Sequence, residues 1–471
     1  MSMFDFGFDD FDESAREARL SELVASYEEG DDSAYFDSEA LEEIAGYYFE
    51  NGRFDDALEV IDRLIEQHPY LSDGWMRRGI VLNNMGRHEE ALEAYDEALS
   101  LNPVDTESMV NRGITLDSLG RVDEALEAFE SALSVNPLHG EALFNLGVTL
   151  ERANQLKDAI DAFERCTETQ PEHPEAWYEL GYCHDRLDNN ETSVACYDRH
   201  IDIDPYSQDA WYNRGIVLNR MGQYEKAVDS YDMAIAIQDD FASAHYNRGN
   251  ALANMGALEE AIESYENVLE LEGDDASTFY NIALAYEELG SYDTARVYYR
   301  YALEDEYAYP EAWYGLGCCY EAQGEHDHAL ECFDHALDLS PRTSKFWKAK
   351  GDAAYNARRL TDALSAYETA IELDESNRQA WLDYAEALFD AQRLKDALAA
   401  YRQAISLEPN NAGTYFRQAK ALMALGRADE TIRSLKKAFR LDPNKKDEFR
   451  SAYPDLYRNA QVRRMLGLDR S

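Results

Sequence analysis

Apolar residues recur along this chain at helical rather than strand-like intervals, and the intervals themselves repeat. One period of 34 residues holds without insertion from Ser38 to Lys445, giving twelve units. Within a unit the apolar positions are 4, 7 or 8 and 11, then 20, 24, 27 and 28. That spacing predicts two short amphipathic helices, at roughly positions 2 to 14 and 17 to 30. Proline at position 32 in eight units, from Pro69 to Pro443, stops the second helix. Glycine at position 15, as in Gly86, Gly120, Gly222, Gly256, Gly290, Gly324 and Gly426, supplies the left-handed residue that ends the first.

Fixed identities sharpen the pattern. Position 4 holds all six tryptophans: Trp75, Trp177, Trp211, Trp313, Trp347 and Trp381. Position 8 is Gly in eight units and Ala in four, position 20 is Ala in ten, and position 24 is Tyr or Phe in ten. The small residue at position 8 is expected to let the first helix approach the alanines at 20 and 27. Large residues at 4, 11 and 24 then fill the space between neighbouring units. One helix pair cannot bury its own apolar faces, so stability must come from stacking.

In repeat 9 the order W-x2-L-G-x2-Y, A-x3-F, P stands as Trp313, Leu316, Gly317, Tyr320, Ala329, Phe333 and Pro341. The unit resembles the tetratricopeptide repeat, over 408 of 471 residues. The resemblance implies an all-α fold, a right-handed α-solenoid of helix pairs in a single superhelix of more than one turn. It also implies a concave wall built by the first helices and a role in binding proteins or peptides there. The expected organisation is an acidic tail with a capping helix over residues 1–37, twelve repeats over 38–445, and a C-terminal capping helix over 446–471.

The same resemblance places helix positions 2, 5, 6, 9, 12 and 13 on the concave side. Position 6 is asparagine at Asn111, Asn145, Asn213, Asn247 and Asn281. An asparagine amide can both donate to and accept from one peptide group, so a row of them can hold an extended backbone. This is similar to the asparagine ladder of O-linked N-acetylglucosamine transferases, with Arg77, Glu179 and Gly315 interrupting it here. The uninterrupted stretches are repeats 3–4 and 6–8; asparagine is also common at this position in the family at large. Position 5 is aromatic in six consecutive units, Phe144, Tyr178, Tyr212, Tyr246, Tyr280 and Tyr314, a stripe that serves a hydrophobic peptide groove or packing between repeats. Acids at positions 2, 12 and 13, among them Asp73, Asp117, Glu151, Asp185 and Glu287, favour a ligand bearing Lys or Arg. The clamp with which some family members hold acidic chaperone tails needs Lys at position 5, and only Lys348 supplies one.

Charge narrows the functional classes. With 44 Lys plus Arg against 94 Asp plus Glu, a net −50, the chain lacks the clustered cations that nucleic-acid binding requires. No run of about 18 apolar residues exists, so no membrane span is expected. The start, MSMFDFGFDDFDE, is acidic where a secretory signal is basic, which points to a cytoplasmic protein. Residues 1–37 carry a net −10 with Phe4, Phe6, Phe8 and Phe11 set among aspartates. This reads as a solubilising tail ahead of a helix from about Ser14 to Glu29, or as a docking segment. Residues 1–343 hold a net −55 and residues 344–471 a net +5. That asymmetry makes self-assembly, basic end to acidic face, the alternative to a scaffold for other proteins.

Catalytic chemistry finds no foothold. Phosphate-loop, dinucleotide and HExxH strings are missing, and no cofactor is implied. The six cysteines contain no C-x-x-C pair and read as reduced, buried side chains. His328, Cys332 and His335, with His326 nearby, share a helical face in repeat 9, but Cys332 falls at a position that is small in most units. Packing is the expected role there, not metal. A non-enzymatic interaction scaffold is the expected function.

Overall fold

The structure, a computed structural model, describes residues 9–29 and 36–468, and every regular element among them is an α-helix. Phe4, Phe6 and Phe8 lie outside the described residues. Each repeat is a helix pair. In eleven of twelve the helices occupy positions 1–13 and 17–30, as in Pro174–Arg186 with Asn190–Ile203; repeat 7, Ala242–Met255 with Leu258–Glu272, extends each by one residue.

Local chemistry sets these limits. The residue before the first helix often caps it: side chains of Asp37, Ser207 and Asn377 accept from the amides of Ala40, Ala210 and Ala380. Position 15 is left-handed in all twelve repeats, with glycine at φ 69–77° in eight and with Asn154, Asp188, Arg358 and Gln392 at 58–62° in the others. The amide that follows then bonds back to position 11, as from Arg359 N to Ala354 O at 2.8 Å. A left-handed arginine costs more than a glycine, even after the entropy glycine loses on folding. Arg358→Gly, at an exposed site, should therefore stabilise the chain by about 1 kcal/mol in urea unfolding. A loss of stability would show that Arg358 contributes something beyond its backbone.

Glycine at position 8 does something the periodicity does not predict. The atoms nearest to a Cβ there belong to the ring at position 24 of the same repeat. That Cβ would lie 2.4 Å from Tyr95 at Gly79, 2.5 Å from Phe163 at Gly147 and 2.6 Å from Tyr231 at Gly215. Where position 8 is glycine the ring lies flat across the first helix, while in repeats 8 and 11 Ala283 and Ala385 are packed in the same repeat as the buried rings of Tyr299 and Tyr401. The tryptophans have one common task. All six indole N–H groups donate to the carbonyl at position 32 of the preceding repeat, at 2.8–3.2 Å, and so tie each repeat to the turn before it.

The chain divides into two compact units, Met1–Asp239 and Asp240–Ser471. Within each, a second helix packs between two first helices, and successive first helices also touch one another. The first helices therefore form the inner wall of each unit. In the first unit, helix Asp9–Glu28 lies on repeat 1, with Val24 buried and Tyr27 edge-on to Phe36 at 5.5 Å. In the second, three short helices, Lys445–Ala452, Pro454–Arg458 and Ala460–Leu466, stand where one was expected. Pro454 cannot continue the first of them, and Asn459 caps the third. Phe449 and Leu466 are buried against the last repeat.

Candidate partner-binding surface

The aromatic residues at position 5 are half-buried, and each leans on the ring at position 24 of its own repeat. Centroid separations are 6.0 Å for Phe144–Phe163, 5.7 Å for Tyr178–Tyr197, 6.0 Å for Tyr212–Tyr231, 5.8 Å for Tyr246–Tyr265, 5.9 Å for Tyr280–Tyr299 and 5.8 Å for Tyr314–Phe333. One part of each ring is thus structural, while the remainder stays partly exposed on the first helix.

Position 6 follows a rule that crosses repeats. Asn213 Nδ2 donates to the Tyr178 hydroxyl at 2.7 Å, and Asn281 Nδ2 to the Tyr246 hydroxyl at 2.9 Å. Arg77 and Glu42 (3.8 Å) and Asp383 and Lys348 (3.1 Å) occupy the same pair of positions with opposite charges. Position 5 of one repeat and position 6 of the next therefore form a polar rung. Where position 5 offers no polar group, the asparagine turns back on its own helix. Asn111, after Met76, donates to the Glu107 carbonyl at 3.0 Å, and Asn145, after Val110, to the Glu141 carbonyl at 2.8 Å. Asn247 also has a partner. At Gly315 the reason for the missing side chain is steric, since a Cβ would lie 2.3 Å from the Tyr299 ring of the preceding repeat.

Glu179 is where the rung fails. Phe144 precedes it at position 5 and has no hydroxyl, and a carboxylate cannot donate to its own helix carbonyl as asparagine does. Among the described residues neither the Glu179 carboxylate nor that of Glu151, across the seam in repeat 4, takes part in a hydrogen bond or ion pair. Burial, with the Glu151 charge added, pushes the Glu179 carboxyl up to about 7, and burial also holds Glu151 above the usual carboxylate range. Arg186 faces Glu151 but is bonded to the Tyr182 hydroxyl (3.0 Å) and to Asn154 (3.3 Å). The Tyr197 hydroxyl nearby has no partner either, whereas its counterparts in Tyr265 and Tyr367 donate to Asn250 and Asp352, each at 2.8 Å. In the sequence Glu179 reads only as an interruption; the signal of its isolation is the phenylalanine one repeat earlier.

Several other acids of the inner wall are already matched. Asp117 pairs with Arg152, Asp185 with Arg220 and Asp73 with Arg77, while Glu287 accepts from the Tyr299 hydroxyl at 2.6 Å. Lys348 lies 2.6 Å from Asp352 and 3.1 Å from Asp383, so it is neutralised from within and poorly placed to clamp an acidic tail. Histidines of repeat 9 go separate ways: His326 to Glu321, His328 to Glu325, and His335 tilted against Trp313 with ring centroids 4.5 Å apart. Among the described residues no group of three or more His, Cys, Asp or Glu is placed to hold a metal ion. All six thiols are free, and burial pushes those of Cys183, Cys196, Cys319 and Cys332 up to about 12, far from nucleophilic. No helix among the described residues is long and apolar enough to cross a membrane.

Comparisons with known proteins agree with this architecture. Models of the tetratricopeptide repeat match residues 10–72, 72–105, 110–170, 150–208, 196–229, 217–256 and 242–275. A model of the cilia and flagella-associated protein 70 C-terminal domain matches residues 268–467. No curated protein matches the chain. Among solved structures, MamA protein is 27% identical over 36% of this chain and 94% of its own, with a TM-score of 0.35. YrrB, described as a TPR protein with an unusual peptide-binding site, is 26% identical over 40% of this chain and 96% of its own, with a TM-score of 0.36. The 34-residue period, the packing of a glycine at position 8 under the ring at position 24, and the repeat models that match along the array lead to one conclusion: the chain belongs to the tetratricopeptide repeat family.

Proposed function

We propose that the chain is a non-catalytic scaffold that holds an extended segment of a partner protein on the inner wall of its first helices. The twelve repeats over 38–445 are the binding array, and the flanking segments 1–37 and 446–471 cap it. The observation that carries the reading is the unmatched pair Glu151 and Glu179 beside the half-buried Phe144 and Tyr178. A wall that neutralises several of its acids internally, yet leaves two desolvated carboxylates open, suits a Lys or Arg side chain on an otherwise apolar segment. In the first unit Tyr178 and Tyr212 supply amphipathic contact area and Asn213 keeps its carbonyl oxygen for a peptide backbone; in the second, Tyr246, Tyr280 and Tyr314 with Asn281 offer the same chemistry.

The test is selection of random dodecapeptides on the full chain at pH 8, in parallel with a Glu151→Gln/Glu179→Gln variant. The wild type should enrich peptides with Lys or Arg fixed at one position, and the variant should bind them at least about tenfold more weakly. Equal affinity for both forms would overturn the reading. A second reading, association of copies, is favoured by unpaired cations in the last repeat: among the described residues Arg433, Lys436 and Arg440 are exposed and in no ion pair.

A further inference from the structure

The last repeat and the helices after it enclose a cleft that neither the array nor its inner wall uses. It has a volume of about 300 Å³, and its lining is almost wholly apolar, with Met423, Ile432, Leu435, Leu456, Val462 and Met465 around it. Leu456 is 40% exposed, so the apolar surface is open to solvent and not sealed within the core. One flank is strongly basic. On helix Ala428–Leu441, Lys436 stands one turn after Ile432, Arg440 one turn after Lys436, and Arg433 beside Ile432. On helix Ala460–Leu466, exposed Arg464 is next to Met465. Among the described residues none of these four cations is in an ion pair. In a chain of net charge −50, an apolar cleft flanked by unpaired cations is exceptional.

The sequence contains one segment of complementary chemistry. Residues 1–13 read MSMFDFGFDDFDE, with five carboxylates, no cationic side chain and four phenylalanines. Phe4, Phe6 and Phe8 alternate with Asp5 and Gly7, so in an extended conformation the three rings share one side. Apolar rings for the cleft and carboxylates for the flanking Lys436, Arg440 and Arg464 match in both components. We propose that the Phe-rich N-terminal segment of one copy docks in the C-terminal cleft of a second copy, linking chains head to tail. This rests on the reading that copies associate, and it names the two surfaces. A heterologous contact of this kind leaves one free tail and one free cleft with each added copy until a ring closes.

The experiment uses three forms of the full-length protein: wild type, a form lacking residues 1–8, and Ile432→Glu, which places a charge in the cleft beside its cations. Mass is followed by light scattering across protein concentration. Wild type should gain mass with concentration and lose it with added salt, because the contact is partly ionic. Each altered form alone should stay monomeric. Mixed in equal amounts, they should form a complex of twice the monomer mass and no larger, since one supplies only the tail and the other only the cleft. That complementation also shows that the Ile432→Glu protein is folded well enough to present its tail. Association that survives loss of residues 1–8 would overturn the docking and leave self-association standing. A wild type that is monomeric at every concentration would overturn both, including the case in which a labelled peptide of residues 1–13 binds only the shortened form, which would place the tail in its own copy.

Discussion

Glu179→Gln should stabilise the protein by about 2 kcal/mol at pH 8 and leave it almost unchanged at pH 4. The carboxyl is displaced from 4.5 to about 7 by burial and by Glu151. An acid whose folded pKa lies above its unfolded value weakens the fold once ionised. The penalty is absent below about 4.5, grows as pH rises to about 7, and is complete above that. At ~1.4 kcal/mol per unit the displacement corresponds to at most ~3.4 kcal/mol, and solvent reaching the half-buried side chain reduces it to about 2. Glutamine removes the charge at constant shape, and its amide can donate to its own helix carbonyl as those of Asn111 and Asn145 do. Urea unfolding at the two pH values reads the effect directly. An equal shift at both would mean that the charge is not its source.

The same residue shows what the sequence could and could not reveal. Helix limits were legible because their determinants are local: a cap at Asp37 or Ser207, a left-handed residue at position 15, a proline at 32. Even Asn154, Asp188, Arg358 and Gln392, which are not glycine, take the left-handed conformation, because the turn length fixed by the repeat demands it. Contacts across the seam were not legible. Whether an asparagine at position 6 faces a ligand, a tyrosine or its own helix depends on a residue 35 positions earlier. Likewise Asp117 and Asp185 read as open acids, although each is matched by an arginine 35 residues further on. Periodicity marks positions 8, 20, 24 and 27 as one interface, but it does not say which side chain covers which; the ring at 24 reaches position 8 because aromatic residues are the only ones there long enough to cross the first helix.

That crossing sets the size of the second expected effect. Gly147→Ala should destabilise the protein by about 2 kcal/mol, although alanine in a helix is worth about 1 kcal/mol more than glycine. The new Cβ would stand 2.5 Å from Phe163, whose ring is completely buried and bounded by Phe144 at 6.0 Å. The ring must move, and its neighbours are as closely packed as it is. Elsewhere the protein accommodates alanine at position 8 in two ways: with a leucine at 24 in repeat 12 (Ala419 and Leu435), and with a tyrosine in repeats 8 and 11 (Ala283 with Tyr299, Ala385 with Tyr401), all of them buried. Phe163→Leu alone should cost about 1.5 kcal/mol through the space it empties. Placed together with Gly147→Ala it should cost much less than the sum, because the methyl group then fills space that the ring has left. A double-mutant cycle in urea should give a favourable coupling of about 2 kcal/mol. Additive costs would mean that glycine is required at position 8 for the path of the helix backbone and not for the ring that lies on it.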